Sequence, residues 1–403
     1  MKINKIIWNS MMLLALSCSS IFMACSDDTL ENTPQGGDGE EQIDGSEEEE
    51  LPDIDVSNMT LKEAIGDKFL IGAAVQAKHI NPPADDDTFI RENEVFKKHF
   101  NALVCEGDMK WRNLIANYDM NKKDNDITQY DFSRADQYVK FAEENNMTVT
   151  GHCLVWHTTL PNEVWQNPNG SDKTKEEVDA NMKYHINTVL SHFKGKIKGW
   201  DVVNEAFNSD GTFRSTPFYR IMGEDYIIKA FKYAHEADPD IELYYNDFEL
   251  YYTPKRQAVL KLIGDLRKEG IEISVGLQAH MWMENPTVEI YENLIRSLRD
   301  AGVKVMITEW DISVVAGKDL YPNGLPIDVN DTWTKRVLDF FRLFLKYKDT
   351  ITRVTTWGVS DSHSWKNQDD NGKPIKDYCL LFDREQNPKP VVEMMMKVAA
   401  AEQ

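Results

Sequence analysis

The sequence has few cysteines, no long hydrophobic run and no excess of positive charge, and each shortage excludes a class of protein. Only five of the 403 residues are cysteine. None belongs to a Cys-x-x-Cys pair, so neither a disulfide framework nor a zinc site is predicted. The apolar stretch near the N-terminus is interrupted at residues 17–20 and is too short for a spanning helix. The formal net charge of -22 disfavours nucleic acid and anionic membranes as partners.

The first 24 residues are predicted to be a lipoprotein signal peptide. Two lysines precede an apolar stretch that ends in Ala24-Cys25. A small residue before Cys25 resembles a bacterial lipoprotein cleavage site, which would leave Cys25 as an acylated N-terminus. Cys18 is a weaker candidate, and an ordinary signal peptide with an incidental cysteine is the alternative. The acidic residues 26–28 resemble the export signal of Bacteroides-type surface lipoproteins. The expected location is therefore the outer membrane, with the protein exposed at the cell surface.

Residues 25–57 are predicted to be a disordered acidic tether. Thirteen Asp and Glu, and no Lys or Arg, fall between residues 26 and 55. Such a segment cannot bury enough apolar surface to fold. The rest of the chain after residue 55 carries a net charge of -11, which suits a protein that handles neutral polymers. Residues 58–403 are predicted to form one catalytic domain.

From residue 69 onward, short β-rich runs alternate with amphipathic helical patterns. Eight strand–helix units imply a parallel sheet, and eight units close a barrel. The sequence therefore predicts an α/β fold, the (β/α)8 or TIM barrel. A doubly wound sheet is the alternative, but it would show a Gly-rich turn after its first strand, which residues 71–74 do not provide. The predicted strands are 69–75, 102–108, 147–156, 198–206, 242–248, 273–281, 303–311 and 352–361, and the clearest helical patterns are 133–145, 175–194, 254–269 and 287–301.

Polar and aromatic residues whose side chains can take part in catalysis or binding fall at or just past the C-terminal ends of these runs. In a barrel these ends form one face, where active sites are built. A scatter over both ends would have favoured a structural interpretation. The residues are Glu106, His152, Asn204, Glu205, Asn246, Asp247, Gln278, His280, Glu309, Asp311 and Trp357.

Two strand-end glutamates are the candidate catalytic residues. Glu205 ends Trp200-Asp-Val-Val-Asn-Glu205, and Glu309 lies in Val305-Met-Ile-Thr-Glu309. A single strand-end glutamate is more often a solvated end or an ion-pair partner. Two of them in strongly hydrophobic strands favour the acid and the nucleophile that cleave a glycosidic bond.

Period-two alternation groups several neighbours of these glutamates. His152, Leu154 and Trp156 are expected to share one face of the third strand, with His157 of opposite parity. Gln278 and His280 share parity on the sixth strand, as do Glu309 and Asp311 on the seventh. Asp311 is expected to hold the His280 ring and so orient Glu309. A buried His–Asp pair that only stabilises the barrel is the alternative.

Two further pairs suit a carbohydrate cleft. Glu106 and Lys110 share parity and are expected to bind sugar hydroxyls, although a surface ion pair explains their spacing equally well. Trp357 and Trp365 bracket a late loop, where indole faces pack against pyranose rings. Ordinary core packing is the alternative for both tryptophans.

Residues 60–395 resemble the retaining endo-β-1,4-xylanases of glycoside hydrolase family 10. Any one motif is weak, and the ordered set is specific. The motifs are Glu106-Gly-Asp-Met-Lys110, Gly151-His-Cys-Leu-Val-Trp-His157, Trp200-Asp-Val-Val-Asn-Glu205, Tyr245-Asn-Asp247, Leu277-Gln-Ala-His280, Ile307-Thr-Glu-Trp-Asp311, Trp357-Gly-Val-Ser-Asp361 with Trp365, and the tail Leu381-Phe-Asp383 with Asn387-Pro-Lys-Pro390.

The resemblance implies roles for the site residues. Glu205 would be the general acid/base and Glu309 the nucleophile, with Asn204 on the 2-hydroxyl of the sugar being cleaved. His152, Gln278, His280, Trp357 and Trp365 would bind substrate around that sugar, and Glu106, Lys110 and Trp156 would hold the glycone sugars. Asp311, His157 and Asn246 are expected to support these residues. No metal, cofactor or nucleic acid is expected, and the protein should be a monomer that hydrolyses xylan or arabinoxylan.

Two alternative functions stay open. One is a retaining endo-glycosidase that acts on another β-1,4-glycan, and the other is a non-catalytic glycan-binding protein at the cell surface. Three positions depart from the family pattern: Gly107 replaces the usual Asn, Thr159 the usual Gln and Trp310 the usual Leu. The first two leave chain-length preference and tolerance of substituents undecided, and Trp310 is a change of size whose effect the sequence does not indicate. Pairing of Cys105 with Cys153 is also left open against buried free thiols.

Overall fold

The computed structural model describes residues 50–369 and 371–402. The predicted signal peptide, Cys25 and most of the predicted tether lie outside these residues. Within the last part of that predicted tether, Val56 is 3% exposed and Ile54 packs against the hydrophobic core. The chain therefore contacts the folded body before its first helix begins.

In the described residues, nine parallel strands form one sheet. β6 pairs with both β5 and β8, and β9 pairs with both β8 and β1, so eight of the nine strands close into a barrel. The ninth, β7, is paired in this part of the chain with β8 alone, beyond the end of β6. The barrel therefore has eight strand positions, as the sequence predicts. The strands are β1 Leu70–Val75, β2 Ala102–Cys105, β3 Thr148–Val155, β4 Gly199–Asn204, β5 Glu242–Asp247, β6 Ser274–Leu277, β7 His280–Trp282, β8 Val305–Ser313 and β9 Ile351–Thr356.

Helices surround the barrel and bury their apolar faces against the strands. Local sequence signals fix several of their ends: Thr174 and Glu177 form a capping box at the start of α6, and Pro254 lies in the first turn of α9. None of the helices in the described residues has the length and apolarity that crossing a membrane requires. The helices are α1 Leu61–Ile65, α2 Ala77–Ile80, α3 Asp87–His99, α4 Trp111–Leu114, α5 Ser133–Glu144, α6 Lys175–Phe193, α7 Pro217–Met222, α8 Asp225–Ala237, α9 Thr253–Lys268, α10 Val288–Asp300, α11 Ile327–Lys346 and α12 Pro390–Ala401.

Two strands differ from the simple alternation that the sequence suggests. The sixth predicted strand is broken between β6 and β7, where Ala279 has φ +60°. Gln278 follows the end of β6 and His280 begins β7, so a break in the strand separates them. Both side chains lie at the barrel mouth, but the alternation of one continuous strand does not explain this. In β3 the register against β4 shifts between His152 and Val155. Leu154 packs in the main hydrophobic core, and the ring centroids of His152 and Trp156 lie 6.2 Å apart.

Candidate active site

Glu205 and Glu309 lie at the C-terminal mouth of the barrel and are joined by a chain of side-chain amides. Each glutamate is 5% exposed. Asn246 Nδ2 donates to Glu309 Oε1 over 2.8 Å and to Asn204 Oδ1 over 2.9 Å. On the other side, Asn204 Nδ2 and Gln278 Nε2 donate to Glu205 Oε1 over 3.3 and 3.1 Å. The two carboxyl groups therefore belong to one hydrogen-bonded network.

The Asn204 amide can be placed in two orientations. Turned over, its oxygen would accept from Trp156 Nε1 at 3.2 Å and its NH₂ group would donate to the Asn246 carbonyl oxygen at 3.1 Å. That NH₂ group would, however, also face Asn246 Nδ2 at 2.9 Å. Glu309 fixes Asn246 Nδ2 as a donor, since a carboxylate only accepts. The orientation with Asn204 Oδ1 towards Asn246 avoids this meeting of two donors.

Glu309 is held in its ionised form. Burial acts to raise its pKa, but the hydrogen bond and charge of His280, with smaller contributions from His152 and Asn246, lower the pKa below its usual value. His280 Nε2 lies 3.0 Å from Glu309 Oε2. A buried carboxylate that stays ionised can act as a nucleophile.

His280 owes its charge to Asp311. Its Nδ1 lies 2.9 Å from Asp311 Oδ2. Burial acts to lower the pKa of His280, but Asp311 and Glu309 raise it to about 9. Both ring nitrogens are therefore donors at neutral pH. Trp365 Nε1 donates to the same Asp311 oxygen over 2.8 Å, and its ring centroid lies 4.8 Å from that of His280.

Glu205 has one carboxyl oxygen free. Its Oε2 is buried and has no hydrogen-bond partner among the described residues, as is also true of His157 Nδ1. Burial and the charge of Arg214 lower the pKa of His157, whereas the charge of Glu205 acts to raise it. The unbonded Glu205 oxygen therefore keeps the capacity to take part in one further hydrogen bond.

A second His–Asp pair and an indole border the same space. His152 Nδ1 lies 2.7 Å from Asp201 Oδ2, and the His152 ring meets Trp357 edge to face at 5.4 Å. Trp357 packs inside the barrel mouth on Ala74 and Val104. These contacts fix the orientation of both rings.

The predicted glycone residues lie on the β2 and β3 side of the mouth. Lys110 Nζ lies 4.7 Å from the centroid of the Trp156 ring. Glu106 Oε2 accepts from Gln76 Nε2 over 2.9 Å, and all three predicted residues are only half-buried. Their polar atoms are therefore within reach of a ligand in the cleft.

Sequence reasoning missed several residues that hold the predicted ones, and three of them lie beside His152, Glu106 and Asp311. Asp201 orients His152, Gln76 contacts Glu106, and Lys366 Nζ lies 3.9 Å from Asp311 Oδ1. Asp201 carried a signal, because a charged residue inside a hydrophobic strand needs a partner. Gln76 and Lys366 lie in loops, where the sequence pattern does not indicate which way a side chain points.

One cluster among the described residues brings three possible metal-ligand atoms within 4.8 Å of one another, those of His79, Glu92 and His363. The cluster does not suit a metal. His79 Nδ1 accepts the backbone N–H of Gln76 over 3.0 Å, so the proton of the neutral ring lies on Nε2. That Nε2 faces Glu92 Oε2 at 3.3 Å, and a protonated nitrogen cannot bind a metal ion.

The three described cysteines are buried free thiols. Cys105 and Cys153 are not paired with each other. Burial raises the pKa of the Cys105 thiol to about 12 and raises that of Cys153 as well. Neither thiol is suited to act as a nucleophile.

Comparisons with known proteins agree on one family. The family model described as glycosyl hydrolase family 10 matches residues 60–398. Endo-1,4-beta-xylanase A of Xylanibacter ruminicola is 39% identical over 361 residues, which covers 84% of this chain and 93% of the relative. A beta-1,4-xylanase of Dictyoglomus thermophilum is 39% identical over 338 residues, covering 82% and 88%.

Solved structures match as well. A family 10 endoxylanase from a sugarcane soil metagenome is 38% identical, with a TM-score of 0.77 and coverage of 84% of this chain and 99% of that one. Xylanase XynB of Paenibacillus barcinonensis, solved with a conduramine derivative, is 31% identical with a TM-score of 0.74, and 84% and 98% of the chains are covered. The structure therefore confirms the (β/α)8 barrel, and the chain belongs to glycosyl hydrolase family 10.

Proposed function

We propose that the protein is a retaining endo-β-1,4-xylanase in which Glu205 is the acid/base and Glu309 the nucleophile. One observation carries this assignment. Glu309 is buried yet kept ionised by His280, while Glu205 presents a carboxyl oxygen without a partner in the same network. A nucleophile and a proton donor on the same barrel mouth are what double displacement needs.

The reaction proceeds in two steps. Glu309 attacks the anomeric carbon as the glycosidic C–O bond breaks, and Glu205 gives its proton to the leaving oxygen. This step leaves a glycosyl ester on Glu309 and a carboxylate on Glu205. Glu205 then takes a proton from water, whose oxygen attacks the anomeric carbon and releases Glu309. Two inversions at one carbon give net retention.

The neighbouring residues stabilise the changing charges. The Asn246 amide and the His280 imidazolium contact Glu309, so they stabilise it as a leaving group in the second step. Asn204 lies between Glu205 and Asn246 and is assigned to the 2-hydroxyl of the sugar at the reaction centre. His152, Gln278, Trp357 and Trp365 are assigned to the same sugar, and Glu106, Lys110 and Trp156 to the glycone sugars beyond it.

Xylan is supported as the substrate by the relatives. The two curated relatives described above are named as β-1,4-xylanases over most of their length. A xylanase mutant from Thermoanaerobacterium saccharolyticum, 32% identical with a TM-score of 0.71 and coverage of 83% and 97%, was solved in complex with xylotriose. The half-buried Trp156 and Lys110 at the glycone side suit such a neutral oligosaccharide.

The test compares the wild type with Glu309→Ala on soluble xylan, arabinoxylan and a β-1,4-glucan. The wild type should release reducing ends fastest from the xylans, with products of retained anomeric configuration by NMR. The variant should lose turnover by more than about 10⁴-fold while still binding xylan. Undiminished hydrolysis by the variant would contradict the role of Glu309. Faster hydrolysis of glucan would favour another β-1,4-glycan, and binding without hydrolysis by the wild type would favour a glycan-binding protein.

The proposed location is the outer membrane, with the enzyme lipidated at Cys25 and displayed on the cell surface as a monomer. The support is the sequence around Cys25 and the acidic residues that follow. Protease added to whole cells should remove the enzyme, and Cys25→Ala should release it from the membrane fraction. Full protection from protease would indicate a periplasmic orientation. Size-exclusion chromatography with light scattering tests the monomer.

A further inference from the structure

Glu205 has a backbone conformation that few glutamates adopt. Its φ angle is +55°, in the left-handed region where the Cβ atom of an L-residue crowds the backbone. Such a conformation persists where surrounding contacts hold it. The contacts around the Glu205 backbone therefore bear on where its carboxyl group points.

The peptide group between Glu205 and Ala206 is held at both of its polar atoms by side chains. Arg214 Nε donates to the carbonyl oxygen of Glu205 over 3.1 Å, and the backbone N–H of Ala206 donates to the Tyr245 hydroxyl over 3.1 Å. The preceding peptide is fixed as well, because Glu205 N donates to Asn246 O over 3.0 Å. The peptide plane after Glu205 cannot rotate without losing both side-chain bonds.

A buried ion pair sets the direction of the Tyr245 hydroxyl. That hydroxyl donates its proton to Asp247 Oδ2 over 2.6 Å, which leaves its oxygen free to accept from Ala206. Asp247 Oδ1 in turn contacts Lys255 Nζ at 2.8 Å, and both side chains are fully buried. Lys255 therefore fixes Asp247, and Asp247 fixes the proton of Tyr245.

The adjacent tyrosine on the same strand shows that burial alone does not produce this contact. Tyr244 is 2% exposed, like its buried neighbour Tyr245, but its hydroxyl donates to Glu242 Oε2 at 2.5 Å, at the start of β5. Glu242 lies at the N-terminal end of the strand, away from Glu205. Tyr244 is thus a matched control for Tyr245.

We propose that Tyr245 and Arg214 are positioning residues for Glu205, a proposal that rests on the assigned acid/base role of that glutamate. By holding the peptide group after Glu205 from both sides, they keep the backbone in its left-handed conformation. They thereby aim Glu205 Oε2, the buried oxygen that has no partner among the described residues, at the glycosidic oxygen. Loss of either contact should impair proton transfer more than substrate binding.

The experiment uses Tyr245→Phe, Arg214→Met and the control Tyr244→Phe in the full chain, with two substrates. Xylohexaose has a sugar leaving group that needs a proton from Glu205. The leaving group of 2,4-dinitrophenyl β-xylobioside departs without protonation. We expect kcat/KM of Tyr245→Phe and Arg214→Met to fall about 10- to 100-fold on xylohexaose and less than about threefold on the aryl glycoside. Tyr244→Phe should follow the wild type on both substrates.

A second measurement reports the other half of the reaction. Azide attacks the anomeric carbon of the glycosyl ester without giving up a proton, so it replaces the base-dependent water step and releases Glu309. Azide should therefore raise kcat of Glu205→Ala on the aryl glycoside, because that variant lacks the carboxylate that repels the anion. Tyr245→Phe and Arg214→Met keep this carboxylate and should not respond to azide, like the wild type. The product should be the β-xylobiosyl azide.

Equal losses on both substrates, or no loss, would overturn the positioning role. If Tyr245→Phe does not fold, Arg214→Met provides the same test, because Arg214 is only half-buried. Glu205→Ala separates this inference from the proposed function. If that variant hydrolyses xylohexaose like the wild type, the acid/base assignment itself fails. If it shows the leaving-group dependence and the Tyr245 and Arg214 variants do not, only the positioning role fails.

Discussion

His280 Nε2 lies 3.0 Å from Glu309 Oε2, and this contact links the charge of a buried imidazolium to the ionisation of the nucleophile. The same ring is held from behind by Asp311. The negative charges of Glu309 and Asp311 therefore lie on either side of the positive charge of His280. Each group depends on its neighbour, because an isolated buried charge would be neutralised by a shift of its pKa.

Replacing Asp311 by Asn should change the pH dependence of the enzyme. Without the Asp311 charge, the pKa of His280 falls from about 9 towards its usual value, and its effect on Glu309 weakens. The pKa of Glu309 then rises. Since Glu309 must be ionised to attack, the acidic limb of kcat/KM should move to higher pH by about 0.5–1 unit.

The matched control for Asp311 is Asp238→Asn. Asp238 is a buried carboxyl group at the C-terminal end of α8, away from the barrel mouth. Profiles of kcat/KM from pH 4 to pH 8 on xylohexaose provide the comparison. The acidic limb of Asp311→Asn could instead coincide with those of the wild type and the control. This result would show that the Asp311 charge does not act on Glu309 through His280.

Replacing Asp201 by Asn should move the ring proton of His152 from Nδ1 to Nε2. Asp201 Oδ2 accepts from His152 Nδ1 over 2.7 Å, which places a ring proton on Nδ1. An Asn at this position can donate to Nδ1 and move the ring proton to Nε2. We expect kcat/KM on xylan to fall about 10- to 100-fold. Activity within twofold of the wild type would mean that the position of this ring proton does not affect the reaction.

Glu92 should stabilise the fold in a pH-dependent way. Burial raises its pKa, but hydrogen bonds from His363, His79 and Ser360 lower it from 4.5 to about 2. A carboxyl group with a lowered folded-state pKa contributes stability above its unfolded pKa and loses that contribution as the pH falls through the folded value. Glu92→Gln should therefore cost about 2–3 kcal/mol at pH 7 and progressively less from about pH 4.5 towards pH 2.

Urea unfolding of Glu92→Gln and the wild type at pH 7 and pH 3.5 measures this difference. Only the gap between the two proteins matters, because other acidic groups titrate in both. A gap of the same size at both pH values would show that the Glu92 charge is not what stabilises this cluster.

Gly107 should accept a side chain at little cost. A Cβ atom there would meet only Asn113 Nδ2, at 3.9 Å. Gly107→Asn should therefore change the free energy of unfolding by less than about 0.5 kcal/mol. The added amide lies next to Glu106 at the glycone side and should lower KM for xylotetraose several-fold through about 1 kcal/mol of hydrogen bonding. An unchanged KM in a stable variant would mean that no sugar binds beside residue 107.

Much of the fold followed from the sequence because its signals are local. β-rich runs, helix caps and the polar residues that follow each strand repeat at regular spacing, and a parallel sheet places all of those strand ends on one face. Glu205, Asn246 and Glu309 could therefore be grouped without coordinates. The break at Ala279 could not be foreseen, since a continuous strand has the same residue pattern.

The sequence by itself determined the barrel, the face that bears the chemistry and the two glutamates on that face. Only the tertiary structure decided that His280 is charged, that one Glu205 oxygen lacks a partner within residues 50–369 and 371–402, and that Tyr245 and Arg214 hold the peptide after Glu205. The physical reason is that ionisation and side-chain direction depend on burial and on contacts within about 3 Å. Those contacts join residues from separate strands and loops, and spacing along one chain does not reveal them.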